Sequence, residues 1–344
     1  MQYQIKINDT LLKNDGTLSH RGYSKKQVLQ YNPENVRLYP FKFLNKIRIK
    51  EWDYYGFTTR DFFFSATVSD IGYACVVFVY FIDFNKKTIV EETILTPFGK
   101  GCALPTSSRE GNIHFSHGDT TVNFTRMPGK RLINVQWPSF HNGEGLHADL
   151  EITQPDSMDS IVMSTPIGKK RFYYNQKINA MPVRGTLRFG KNEYDMKKLR
   201  ALATLDWGRG VWDYNSFWNW ASASGHLDSK TTFGCNLGKG FGDLSYATEN
   251  CFFINGTMTK LDQVEFNYDP SDYMKPWYFG SNDGKLELTF TPFFEREAKT
   301  NLLLIRSEVH QMFGEYTGMV IPDKGKPVNI KGIIGWAEEH FARW

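Results

Sequence analysis

Apolar and polar residues alternate along much of this chain. Ile113/Phe115, Val122/Phe124, Leu150/Ile152, Leu187/Phe189, Val264/Phe266 and Leu286/Leu288/Phe290 are each split by a polar neighbour. That two-residue period predicts half-buried antiparallel strands. Turn chemistry punctuates the runs, at Asn14-Asp15-Gly16, His117-Gly118-Asp119, Met127-Pro128-Gly129, Asn255-Gly256, Asn282-Asp283-Gly284 and Asp323-Lys324-Gly325. Asn282-Asp283-Gly284, just before Lys285-Leu286-Glu287-Leu288, predicts a hairpin. Helical signals are few. Ser24 to Gln30 is one expected helix, with Ser24 and Gln27 at capping-box spacing, and Tyr194 to Arg200 is another. No series of βαβ units appears, which argues against a doubly wound parallel sheet. The class is all-β, and so many consecutive strands favour barrels or sandwiches, which limit exposed edges.

At 344 residues the chain has the length of about two domains. Phe62-Phe63-Phe64-Ser65-Ala66-Thr67 is echoed by Trp218-Asn219-Trp220-Ala221-Ser222-Ala223, which fits two similar β-domains. The boundary is expected near residue 175, giving domains 1–175 and 176–344, where Lys169-Lys170-Arg171 leads into Tyr173-Tyr174-Asn175. Ile71 to Ile82 is an uncharged apolar run. It is too short for a transmembrane helix and reads as a strand covered on both faces.

Aromatic residues reach 15% of the chain, which suits a β-rich protein with a ring-lined cavity. The net charge of +4 is too mild and dispersed for a nucleic-acid groove. Cys75, Cys102, Cys235 and Cys251 form neither a CxxC pair nor a disulfide framework. Met1-Gln2-Tyr3-Gln4-Ile5-Lys6 lacks an apolar signal core. These features lead to the expectation of a cytoplasmic protein with reduced thiols and no transmembrane segment.

The densest chemistry lies in Leu205-Asp206-Trp207-Gly208-Arg209-Gly210-Val211-Trp212-Asp213-Tyr214 and the following Trp218-Asn219-Trp220. Trp207, Trp212, Trp218 and Trp220 are four of the nine tryptophans. A carboxylate among rings loses solvation, so Asp206 is expected to hold a proton and act as a general acid. Indole faces stabilise a cation formed by protonation. Arg209 would orient an anionic group or fix the aspartate by a bidentate pair. The structural alternative is that Asp206 and Arg209 pair while the tryptophans plug a barrel end.

Several motifs carry a resemblance. Tyr174-Asn175-Gln176-Lys177, Leu205-Asp206-Trp207-Gly208-Arg209-Gly210, Trp218-Asn219-Trp220-Ala221-Ser222-Ala223, Gly234-Cys235-Asn236-Leu237-Gly238, Thr248-Glu249-Asn250 and Gly335-Trp336-Ala337-Glu338-Glu339-His340 resemble the bacterial family known as domain of unknown function 2804. The order of motifs is also distantly similar to the hydroxyneurosporene synthase (carotenoid hydratase) group. That resemblance implies two tandem lipocalin-like antiparallel β-barrels. The group carries a tryptophan-Asp-His-Glu-Trp stretch and then Gly-Trp-Asp-Trp-Phe. Asp206 matches its aspartate, but Trp207 and Gly208 replace the histidine and glutamate, so only Asp206, Trp218 and Trp220 carry over.

Other candidates are weaker. Glu249, leading into Cys251-Phe252-Phe253-Ile254, is a second candidate acid or else a rim carboxylate. If the C-terminal segment is a strand, Trp336, Glu338, His340 and Ala342 share a face, and Glu338 and His340 point together into the second barrel or into solvent. His114 and His117 fall on opposite faces of a strand, and a loop separates His141 from His147, so no metal site is expected. Gly238-Lys239-Gly240-Phe241-Gly242 lacks the ending of a phosphate loop. No cofactor motif is present. The leading expectation is acid catalysis (hydration, isomerisation or cyclisation) on an apolar small molecule such as an isoprenoid. A non-catalytic carrier of a lipid-like or amphipathic ligand and a carbohydrate-active or carbohydrate-binding protein are the alternatives.

Overall fold

The alternating runs pair into two large antiparallel sheets in the computed structural model, which describes residues 2–302 and 305–343. In the first sheet, Lys50–Thr58, Phe62–Asp70, Ala74–Asp83 and Thr88–Pro97 form one meander. Ile113–His117, Thr120–Met127, Lys130–Trp137, Leu146–Thr153, Arg171–Phe189 and Leu202–Val211 form another. The two are joined where Lys50–Thr58 pairs with Leu202–Val211, Tyr54 lying opposite Asp206. The second sheet repeats this plan. Asn215–His226, Thr232–Lys239, Cys251–Ile254 and Thr257–Lys260 lead outward from one side of a seam. Val264–Asn267, Trp277–Ser281, Leu286–Leu302, Ile305–Val320 and Val328–Arg343 return to it. In each sheet, then, the last long strand closes against the first. The first sheet curls into a nearly closed barrel and the second into a half-barrel.

The barrel interiors are packed. Tyr55, Phe57, Phe62, Phe64, Phe124 and Trp207 are among the side chains filling the first, and Phe233, Phe252, Trp277, Phe290 and Tyr316 among those in the second. A third apolar cluster joins the sheets, with Tyr54, Phe63, Tyr80, Tyr173 and Trp212 from the first meeting Trp218, Trp220, Phe313 and Trp336 from the second. Ala74–Asp83 serves both layers. Val77, Val79 and Phe81 enter the first barrel, while Tyr80 and Ile82 join the inter-sheet cluster. This explains the lack of alternation from Ile71 to Ile82.

Some local expectations fail for identifiable reasons. Ser24 Oγ bonds Lys26 O at 2.7 Å, closing a turn instead of capping a helix. Ser24 itself pairs with Val162, and Leu29–Gln30 pairs with Asp9–Thr10. Around Tyr194, Asn192–Asp195 is a strand, and Asp195 Oδ1 then accepts from Lys197 N and Lys198 N at 3.0 Å each. The longest helix, Lys42–Arg48, has no side-chain cap to announce it. The expected hairpin at Asn282-Asp283-Gly284 joins Trp277–Ser281 to Leu286–Leu302. The chain changes sheets between Val211 and Asn215, whereas residue 175 lies inside strand Arg171–Phe189. Cys75 and Cys102, 5.7 Å apart at Cα, are disulfide-bonded, while Cys235 and Cys251 are free and buried. Reduced thiols therefore do not describe the whole chain and give no ground for a cytoplasmic setting. No described helix is long and apolar enough to cross a membrane.

Gly208 shows how closely the aromatic layer fits. A Cβ at this position would overlap Cε2 of Trp52, whose ring stacks on Trp212 at 5.2 Å. Gly208→Ala is expected to destabilise the protein by about 1–3 kcal/mol through overpacking. Chemical denaturation followed by tryptophan fluorescence measures the loss.

Candidate functional site

Strand Leu202–Val211 is buried on both faces, so its period sends neighbouring residues into different layers. Trp207 and Arg209 face the first barrel. Tyr31 and Tyr174 meet the Trp207 ring edge-on, and the Arg209 guanidinium carbon lies 4.3 Å from that ring's centroid. Arg209 Nη2 pairs with Asp53 Oδ1 at 2.9 Å and donates to Pro105 O at 3.0 Å. Arg209 therefore braces a barrel end and neither pairs with Asp206 nor shares its layer.

Asp206 faces the second sheet. Its cross-strand neighbour Lys177 reaches Oδ2 at 2.8 Å, and both side chains are almost fully shielded from water. The Lys177 ammonium also lies 3.9 Å from the centroid of the Trp220 ring. Trp220 Nε1 donates to Asn236 Oδ1 at 2.7 Å, and Trp336 meets the Trp220 ring edge-on at 5.2 Å. Trp212 closes one side against Trp52 and Tyr173.

The other candidates come from the second sheet and its loops. Val328–Arg343 is a strand, and Trp336, Glu338, His340 and Ala342 share one face of it. That face turns toward the first sheet, not into the second barrel, placing Trp336 and Ala342 in the inter-sheet cluster. Glu338 Oε2 accepts from Gln311 Nε2 at 3.0 Å, and the Trp218 indole also bonds this carboxyl. Gln311 Oε1 accepts from Tyr80 OH at 3.2 Å, and Tyr80 OH lies 2.9 Å from Tyr54 OH. His340 Nε2 lies 3.0 Å from Ser307 Oγ, and its ring is 4.0 Å from that of Trp218. Glu249 Oε2 accepts from Asn175 Nδ2 at 2.9 Å, and its other oxygen occupies space that a Cβ on Gly238 would fill.

Asp206, Glu249 and Glu338 thus surround one region, and Lys177 acts on both glutamates as well as on its aspartate partner. Arg296, which acts on Glu338, is held by Glu91 through two bonds of 2.9 and 2.8 Å, and Lys260, which acts on Glu249, donates to Thr248 Oγ1 and Asn250 O at 3.0 Å each. Removal from water pushes the Glu338 carboxyl up to about 7, and burial also raises Glu249. Burial, followed by the Arg296 charge, drives the His340 imidazole down to about 3, so this ring is neutral. Asp206 Oδ1 and Trp336 Nε1 are buried and make no hydrogen bond among the described residues. Sequence reasoning missed Lys177, Gln311 and Tyr80. Lys177 did fall inside a quoted motif, but only strand register places it against Asp206.

Other features of the surface lie elsewhere. A cavity of about 1100 Å³ lined by Gln27, Arg126, Arg131 and Asp156 touches none of the candidates. Glu295, Glu297 and His310 have ligand atoms within 4.8 Å of one another, but both glutamates are exposed and His310 Nδ1 already lies 2.8 Å from Glu295.

The chain belongs to the family described as Domain of unknown function (DUF2804), whose model matches residues 2–344. No curated protein matches its sequence. Among solved structures it is similar to CghA with Sch210972, at 10% identity and a TM-score of 0.54, over 86% of this chain and 89% of that one. A further CghA structure gives 10% identity and a TM-score of 0.51 over 86% and 88%. Kievitone hydratase from Nectria haematococca gives 10% identity and 0.43 over 86% and 88%. The likeness to CghA shows the fold, two lipocalin-like near-barrel sheets.

The Glu338 shift fixes a pH dependence. Between pH 4.5 and about 7 the folded protein keeps this proton and the unfolded chain has released it. Stability from this group is therefore full below that window and is lost as pH rises through it. Glu338→Gln is expected to be about 2–3 kcal/mol more stable than wild type at pH 8, with no such gain at pH 4. Urea denaturation at both values checks this.

Proposed function

We propose that this DUF2804 protein is an acid catalyst acting on an apolar small molecule between its two sheets, with Glu338 as proton donor. The observation that carries the reading is the buried Glu338 carboxyl, raised to about 7 and set among indole rings. A general acid works best when it titrates near the working pH, and such a group contributes about 10²–10⁴-fold in rate.

The chemistry follows from the arrangement. Glu338 gives its proton to a carbon–carbon double bond, whose π electrons form the new C–H bond and leave a carbocation. The faces of Trp218 and Trp336 are the surfaces suited to that charge, since the Lys177 ammonium already sits over Trp220. Asp206 then takes a proton from a neighbouring carbon, whose C–H electrons form a new double bond, giving isomerisation. Attack of an internal double bond on the cation before this step gives cyclisation. Attack of water, with Asp206 taking the released proton, gives hydration. Exchange with solvent then returns Glu338 to its acid form and takes the proton from Asp206, restoring its carboxylate. Lys177 positions Asp206 throughout, and Gln311 and the Trp218 indole fix the Glu338 carboxyl. Trp207 and Arg209 have no part in these steps, because they lie in the other layer.

Turnover in D₂O tests the proposal. Ligand extracted from the purified protein and identified by mass spectrometry, together with isoprenoid alkenes such as farnesol and squalene, is incubated with protein. Wild type is expected to insert deuterium at carbon or to add the mass of water. Glu338→Gln should bind the ligand yet lose about 10²–10⁴-fold in rate. A ligand that is bound but returned unlabelled by wild type makes the protein a carrier, and full activity in Glu338→Gln removes the assigned acid.

A further inference from the structure

We propose that the end of the first barrel around helix Lys42–Arg48 docks onto an anionic lipid bilayer. Large apolar side chains are rarely left in water as a group. Here Phe41 and Phe43 are 63% and 64% exposed, Ile47 39%, Leu95 60% and Phe98 87%. The Phe41 and Phe43 rings lie 6.3 Å apart. Backbone contacts tie the two halves of the group together. Gly72 packs directly on the Ile47 carbonyl, and Phe98 N donates to Tyr73 O at 2.8 Å. These rings project outward instead of lining a groove, which suits insertion between headgroups.

The charges at this end select the surface. Lys42 and Lys46 are exposed on the helix, which contains no acidic residue, and Lys100 is exposed two residues beyond Phe98. Asp70 is turned onto Gly72 N at 2.7 Å. Glu51 is mostly buried and lies 3.8 Å from Arg209 Nε. Glu34 is exposed and shares a cavity of about 270 Å³ with Lys42 and Lys46, leaving the face net basic. Aromatic tips interleaved with lysines match the acyl–headgroup boundary of an anionic leaflet, where the rings bury and the ammonium groups stay at phosphate level. Arg48 Nη2 donates to Trp212 O at 2.9 Å, so the patch adjoins the aromatic wall between the sheets. An apolar molecule dissolved in the bilayer would meet the protein on this side.

Co-sedimentation of the full chain with vesicles tests this independently of any activity. Binding is expected to phosphatidylcholine vesicles containing about one-fifth phosphatidylglycerol, and to be at least about tenfold weaker to phosphatidylcholine alone. The pair Phe41→Ser and Phe43→Ser should lower partitioning about tenfold, and Lys42→Glu with Lys46→Glu should abolish the preference for anionic lipid. Unchanged melting temperatures would show that these variants fold. Wild type left in the supernatant with anionic vesicles overturns the proposal, as does undiminished binding by the folded Phe variant. A dimer in gel filtration that the Phe variant dissociates overturns it too, by assigning the face to a second copy.

Discussion

Three buried carboxyls meet at the junction of the two sheets, and among the described residues only Asp206 has a direct ion pair, an imbalance on which the character of that junction depends. Lys177 pairs directly with Asp206, whereas Glu249 and Glu338 have no direct ion pair among the described residues and feel Lys177, Lys260 and Arg296 only at longer range. An uncompensated charge buried in this way costs several kcal/mol, so a carboxyl in such surroundings keeps its proton instead. Neutral Glu338 fits among Trp218, Gln311 and the inter-sheet rings where an ion would not. The same physics that lets the sheets pack therefore leaves an acid poised close to neutrality.

The architecture accounts for where these groups meet. Both sheets close by pairing their last long strand with their first, and both closing strands send acidic residues to the junction. Leu202–Val211 supplies Asp206, and Val328–Arg343 supplies Glu338. The packed barrel interiors leave the layer between the sheets as the place where these acidic groups are buried beside aromatic rings. Arg209 shows the contrast. Its hydrogen bonds to Asp53 and to the carbonyls of Trp52, Pro105 and Gly208 leave it a brace within the first barrel.

Much of this was readable from the residues, within limits that have physical causes. Two-residue alternation identified the strands because one face of each is usually wetter than the other. It gives no signal at residues 202–211, where both faces are covered. There the dense run of Trp207, Arg209 and Asp206 looks like one cluster but divides between two layers. The face shared by Trp336, Glu338 and His340 was legible because it depends only on strand periodicity. Lys177 and Gln311 were not, since their importance comes from register across strands far apart in the chain. The expected helices failed where Ser24 and Asp195, residues that also cap helices, close turns instead. The Cys75–Cys102 bond depends on a loop folding back to a strand, which spacing alone does not reveal.

The protonation of Glu338 is the pivot of the account, and carboxyl-¹³C NMR of protein labelled at glutamate and aspartate observes it directly. A resonance missing from the Glu338→Gln spectrum should titrate at about 7. If that resonance instead titrates with ordinary glutamates near 4.5, the carboxyl is ionised at neutral pH and the assignment of Glu338 as an acid is contradicted.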